Sequence, residues 1–179
     1  AQGLDLNGKY IEFIRSGNYP VFPAGMGAVT VAAWICPKEQ PYGPGFTRPI
    51  TSHVDVITLA DKSSWGNYHC SIELNTDDTL AFSIKDASGA TTTIKGNTKV
   101  KYDGSTWYYV VGSAKASDKA RLYVNGVEDG SSKSMSTLFT PDPAGEAVFV
   151  SRTATRADGF PWFVGLVANI SVYTQQLEP

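Results

Sequence analysis

The chain has 179 residues, 42% of them apolar and 18% charged, with a formal net charge of -2. That length suits one all-β domain with its own core, and the charged fraction lies below the globular average of about 25%. Lysines and arginines are scattered without a basic stripe, which argues against nucleic acid or an anionic membrane as a partner, and no stretch reaches the roughly 18 apolar residues that span a bilayer.

No window shows the sustained three-and-four spacing of a helix. Short runs of Val, Ile, Thr, Tyr and Phe recur instead, separated by Gly, Asn, Asp and Pro, the pattern of an antiparallel sandwich with roughly 11 to 13 strands. Leu4 and Leu6, then Ile11 and Phe13, alternate around Asn7-Gly8, which reads as a hairpin turn. Val29 to Ile35 is apolar on both faces and reads as a mid-sheet strand, ended by Pro37. Residues 38–52 hold Pro41, Gly43, Pro44, Gly45 and Pro49 and read as a long loop, of the kind that often carries function. Ile57–Ala60 and Tyr68–Leu74 follow as strands, and Leu80, Phe82 and Ile84 share one face of the next.

Asp86 to Gly89 turns the chain into Thr91–Ile94. Trp107, Tyr109 and Val111 then lie on one strand face, with Tyr108 and Val110 on the other. Leu122 and Val124 point one way, Arg121 and Tyr123 the other, and Asn125-Gly126 predicts a two-residue type I′ turn. Residues 128–145 read as irregular, before Val148–Val150 and the run 163–173 close the domain. Cys36 and Cys70 are too few for a disulfide framework. Both lie in strand patterns, where two buried thiols or one bridge remain open readings. The chain starts Ala1-Gln2-Gly3 and ends Gln176 to Pro179, which reads as a single module of residues 1–179 cut from a larger secreted or cell-surface protein.

Three segments resemble the laminin-G-like, concanavalin-A-like jelly roll. They are Thr30-Val31-Ala32-Ala33-Trp34-Ile35-Cys36-Pro37, the pair Trp107–Val110 and Leu122–Gly126, and the closing run Phe163–Tyr173 with Leu177. The resemblance implies an antiparallel β-sandwich and a binding role, often toward a glycan. It is similar to accessory modules of secreted bacterial glycan-degrading enzymes such as sialidases. A structural calcium is compatible with the resemblance, and no other cofactor is called for. Ala168 and Asn169, however, stand where the family often carries an acidic pair that helps hold that ion.

Catalysis finds no support in the pattern. Related jelly-roll glucanases carry a Glu-x-Asp-x-x-Glu strand, and retaining hydrolysis needs two carboxylates about 5 Å apart. Here Glu12, Glu39, Glu73, Glu128, Glu146 and Glu178 are isolated in sequence. No Gly-x-Ser-x-Gly elbow accompanies His53 or His69, and the histidines and cysteines lack zinc-like spacing. His69 reads as a packed or edge histidine.

Aromatic residues are the informative set, because a glycan module stacks the apolar face of a sugar on Trp or Tyr. Trp34 and Trp107 fall in strand patterns and read as core. Trp65 and Trp162 lie in polar, turn-rich segments, and Tyr42 lies in the Pro/Gly loop. These three are the expected stacking residues. Arg152, Arg156, Asn67 and His53 are the expected hydrogen-bonding partners, and the two arginines would suit an acidic sugar. Asn169-Ile170-Ser171 is formally a glycosylation sequon. The function expected is a non-catalytic, monomeric carbohydrate-binding module tethered to another domain. A protein-binding adhesion module and a spacer packed on a catalytic neighbour are the alternatives.

Overall fold

The computed structural model describes residues 4–5, 11–14, 27–38, 53–61, 68–139, 146–150 and 163–177. These hold thirteen strands and no helix. In order they are β1 (Leu4–Asp5), β2 (Ile11–Ile14), β3 (Ala28–Pro37), β4 (Val54–Asp61), β5 (Tyr68–Leu74), β6 (Thr79–Lys85), β7 (Thr91–Lys99), β8 (Tyr108–Lys115), β9 (Asp118–Val124), β10 (Val127–Glu128), β11 (Lys133–Met135), β12 (Glu146–Val150) and β13 (Gly165–Tyr173).

One sheet runs β1-β13-β3-β8-β9-β10, with β11 also pairing β9, and the other runs β2-β12-β4-β5-β6-β7. Every pairing is antiparallel. The result is the two-layer β-sandwich that the sequence predicts. One expected connection does not form. Leu4–Asp5 pairs with β13 in the first sheet, whereas Ile11–Ile14 pairs with β12 in the second. The two segments are therefore not a hairpin, and Asn7 and Gly8 lie outside the described residues. Alternating apolar residues bury one face whichever partner they find, so a sheet-to-sheet crossing carries the same signal as a hairpin.

The core fills the space between the sheets. Val29, Val31, Ala33 and Ile35 of β3 and Tyr108 and Val110 of β8 meet Cys70, Ile72 and Leu74 of β5 and Leu80, Phe82 and Ile84 of β6. Period-two alternation puts these residues on the inner faces. Gly112 of β8 sits against the Phe82 ring, and a Cβ there would overlap ring carbons. Asn125 and Gly126 have φ of 53° and 83°, as a type I′ turn requires, and bring β10 back onto β9.

The stretch read as irregular also contributes order. Asp129 is buried, and its Oδ1 accepts hydrogen bonds from the backbone N–H groups of Asn97 (2.9 Å) and Thr98 (3.2 Å) on β7. Both cysteines are buried and unbridged, Cys36 in the first sheet and Cys70 in the second. Burial pushes both thiols above their ordinary pKa.

Candidate functional site

The outer face of the first sheet carries an aromatic platform. Trp34 stands on that face, opposite in parity to Val31, Ala33 and Ile35, and is 38% exposed. Its registered neighbour on β8 is Tyr109. The two rings lie 5.1 Å apart between centroids and 34° from coplanar, an offset contact favoured by ring quadrupoles. On the other side Trp34 faces Ala168 of β13. Trp34, Trp107, Ala168 and Asn169 line a groove of about 280 Å³, at the small end of ligand pockets and suited to one small ring.

Local sequence explains why the groove is open. Between Ala168 and Ser171 the pairing with β3 gains one extra residue on β13, a β-bulge. Asn169 sits in it with φ of 51°, a left-handed conformation that asparagine tolerates. The methyl group of Ala168 leaves space above Trp34 that a longer side chain would fill. Trp107 is placed by the turn before it. Asp103 accepts hydrogen bonds from the N–H groups of Ser105 (2.8 Å) and Thr106 (2.7 Å), and Gly104 N–H donates to Pro37 O (3.0 Å). Tyr109 is fixed by Asn125: its N–H donates to Asn125 Oδ1 and its carbonyl accepts from Asn125 N–H, both at 2.8 Å.

This corrects the expectation that Trp34 and Trp107 are core. Trp34 is on the outward face and Trp107 is half-buried at the groove wall. A strand apolar on both faces does not declare which face is inside, and here the small Ala33 packs inward while the large Trp34 points out. The expected stacking and hydrogen-bonding residues Trp65, Trp162, Tyr42, Arg152, Arg156 and Asn67 all lie outside the described residues.

His53 is described, and it stands elsewhere, at the start of β4 in the second sheet. Its Nε2 is 3.6 Å from Asp55 Oδ1 and its Nδ1 is 3.8 Å from Glu73 Oε2; the imidazole is 43% exposed. Asp55 and Glu73 are registered partners on β4 and β5. Ser71 Oγ donates to Glu73 Oε1 at 2.5 Å. Burial, and then the neighbouring Glu73 charge, push Asp55 well above the usual carboxylate range, against a hydrogen bond from Thr58. Burial likewise raises the Tyr68 phenol. His69 is buried with its ring stacked on Phe139 at 4.8 Å, consistent with a packed histidine.

Glu73, isolated in sequence, is thus not isolated in space. The pair is nonetheless a poor hydrolytic centre, because Asp55 is 7% and Glu73 2% exposed, which keeps a glycosidic bond from lying between them. Among the described residues no carboxylate lines the aromatic groove. The charged acidic pair expected to help hold a closing-strand calcium is absent, since Ala168 carries no side-chain oxygen and Asn169 only an uncharged amide.

Several solved structures share this architecture. The binding domain of Paraclostridial Mosquitocidal Protein 1 superposes with a TM-score of 0.60 at 19% identity, covering 87% of this chain and 35% of that one. The botulinum neurotoxin serotype G binding domain gives 0.65 at 13% identity, covering 95% and 38%. The serotype D ligand-binding domain in complex with N-acetylneuraminic acid gives 0.62 at 11% identity, covering 98% and 39%. The chain therefore spans little more than a third of these toxin chains. No curated protein matches it significantly. The family model described as the concanavalin A-like lectin/glucanases superfamily matches residues 10–179, and the chain belongs to that superfamily.

Proposed function

We propose that this chain is a non-catalytic carbohydrate-binding module whose sugar site is the groove over Trp34, Trp107, Ala168 and Asn169. The observation that carries the reading is the exposed Trp34 ring held against Tyr109 on the outer face of the sheet. A pyranose presents an apolar C–H face that replaces water over such a ring, while the Asn169 amide supplies donor and acceptor groups for hydroxyls. The described groove residues are uncharged, which suits the neutral face of a sugar ring. A fold neighbour was solved with N-acetylneuraminic acid, so sialylated glycans belong among the ligands tried. In this reading the module is secreted or surface-displayed and monomeric, and it targets a tethered partner domain, such as a sialidase, to glycans. Single-site affinity is low, because a small ring buries little area, and tethering raises the effective strength.

A glycan array on wild type and on Trp34→Ala tests the assignment. Binding to one sugar class, lost in the variant, supports it. A blank array at high protein concentration refutes it and leaves a protein-contacting or spacer role.

A further inference from the structure

The cluster of His53, Asp55 and Glu73 lies on the sheet opposite the groove, and nothing in the sugar-binding reading uses it. We propose that it binds a divalent transition-metal ion of the zinc type, through one imidazole nitrogen and two carboxylate oxygens. One donor atom from each of the three side chains falls within 4.8 Å of the other two. The donors come from neighbouring strands held in register, and a bulge between Asp55 and Ile57 adjusts the aim of the first.

The spacing leaves room for an ion among the three side chains. His53 Nε2 stands 3.6 Å from Asp55 Oδ1 and the other ring nitrogen, Nδ1, 3.8 Å from Glu73 Oε2, both beyond hydrogen-bond range, while a set of one nitrogen and one oxygen from each carboxylate lies within 4.8 Å. Two donors on a tetrahedral ion with bonds of about 2.0–2.1 Å stand roughly 3.4 Å apart. Closing the cluster onto one ion therefore needs side-chain movements on the order of 1 Å. Ser71 occupies Glu73 Oε1 and leaves Oε2 facing His53, the outer-sphere support common around metal ligands.

Burial gives a separate argument. Two carboxylates lie side by side, nearly removed from water. Among the described residues His53 is the only basic side chain at ion-pair distance from either. A divalent cation held between them would partner both carboxyl groups in place of the water they have lost. The imidazole selects the class of ion, since calcium and magnesium favour all-oxygen sites. The exposed side of His53 supplies an entry path and an open coordination position.

The test uses the whole chain, stripped with a chelator and titrated by calorimetry with micromolar Zn²⁺ and, separately, Ca²⁺. The expected result is one Zn²⁺ per chain, a raised Tm, and far weaker uptake of Ca²⁺. His53→Ala alters an exposed side chain, so its fold is checked by circular dichroism and its Zn²⁺ affinity is expected to fall at least 100-fold. Glu73→Gln probes the buried ligand; should it fail to fold, His53→Ala and the Co²⁺ spectrum of wild type decide. The proposal is overturned by no Zn²⁺ binding to the folded chain, by Ca²⁺ binding as tightly, by undiminished binding in His53→Ala, or by a thiolate-to-cobalt band that puts the ion on a cysteine.

Discussion

Trp34→Ala is the sharpest perturbation of the groove. A Trp side chain presents roughly 250 Å², and 38% of Trp34 is exposed, so about 95 Å² is available to a sugar. At about 25 cal/mol per Å², covering all of that face is worth about 2.4 kcal/mol and covering half of it about 1.2 kcal/mol. The variant should therefore bind its glycan roughly 7- to 50-fold more weakly. Trp34→Phe keeps a ring against Tyr109 and should lose less. The fold should survive, because the residue points away from the inter-sheet core. Calorimetry at millimolar sugar, with tryptophan emission as a second signal, measures the change. A folded Trp34→Ala protein with wild-type affinity would falsify the placement of the site.

Other consequences can be checked independently. Gly112→Ala drives a methyl group into the Phe82 ring and should cost about 1–3 kcal/mol, lowering Tm by about 2–12 °C; an unchanged Tm counts against the close approach of the sheets. Asp77 is held down to about 2 by the Lys95 ammonium and then by the Thr79 hydroxyl. Asp86 and Asp103 are also lowered, chiefly by the Ser88 and Thr106 hydroxyls. Folded-state values below the unfolded value of about 3.9 mean that this stability is present above pH 4 and lost as pH falls toward 2. Urea midpoints should therefore drop across that window, and Asp77→Asn should flatten part of the drop; an identical acid profile in the variant contradicts the Lys95 pairing. Both thiols should resist iodoacetamide in the native protein and react after denaturation, because burial raises their pKa. Rapid native labelling of Cys70 would contradict its place in the core.

Much of the fold was legible because its signals are local. The Asn125-Gly126 turn, the inward set Leu80, Phe82 and Ile84, and the closing run through Tyr173 each follow from period-two alternation or from turn chemistry. The platform was less legible. The parity of Trp34 with Thr30 rather than with Val31 and Ile35 was the available signal, and the strand's apolarity on both faces masked it. The groove over Ala168 depends on a bulge and on a neighbour more than a hundred residues away. The meeting of Asp55 with Glu73 depends on strand register, which no short window contains.

The platform's place on β3 and β8, paired strands inside a sheet, also bears on timing. In the proposed sugar-binding reading, Trp34 and Tyr109 are held by ladder hydrogen bonds and by Asn125 before a ligand arrives, so contact requires little ordering of the chain. Low affinity in such a site appears as rapid release rather than slow capture. A protein tethered through modules of this kind would exchange its footholds quickly, remaining on a polymeric glycan while shifting along it.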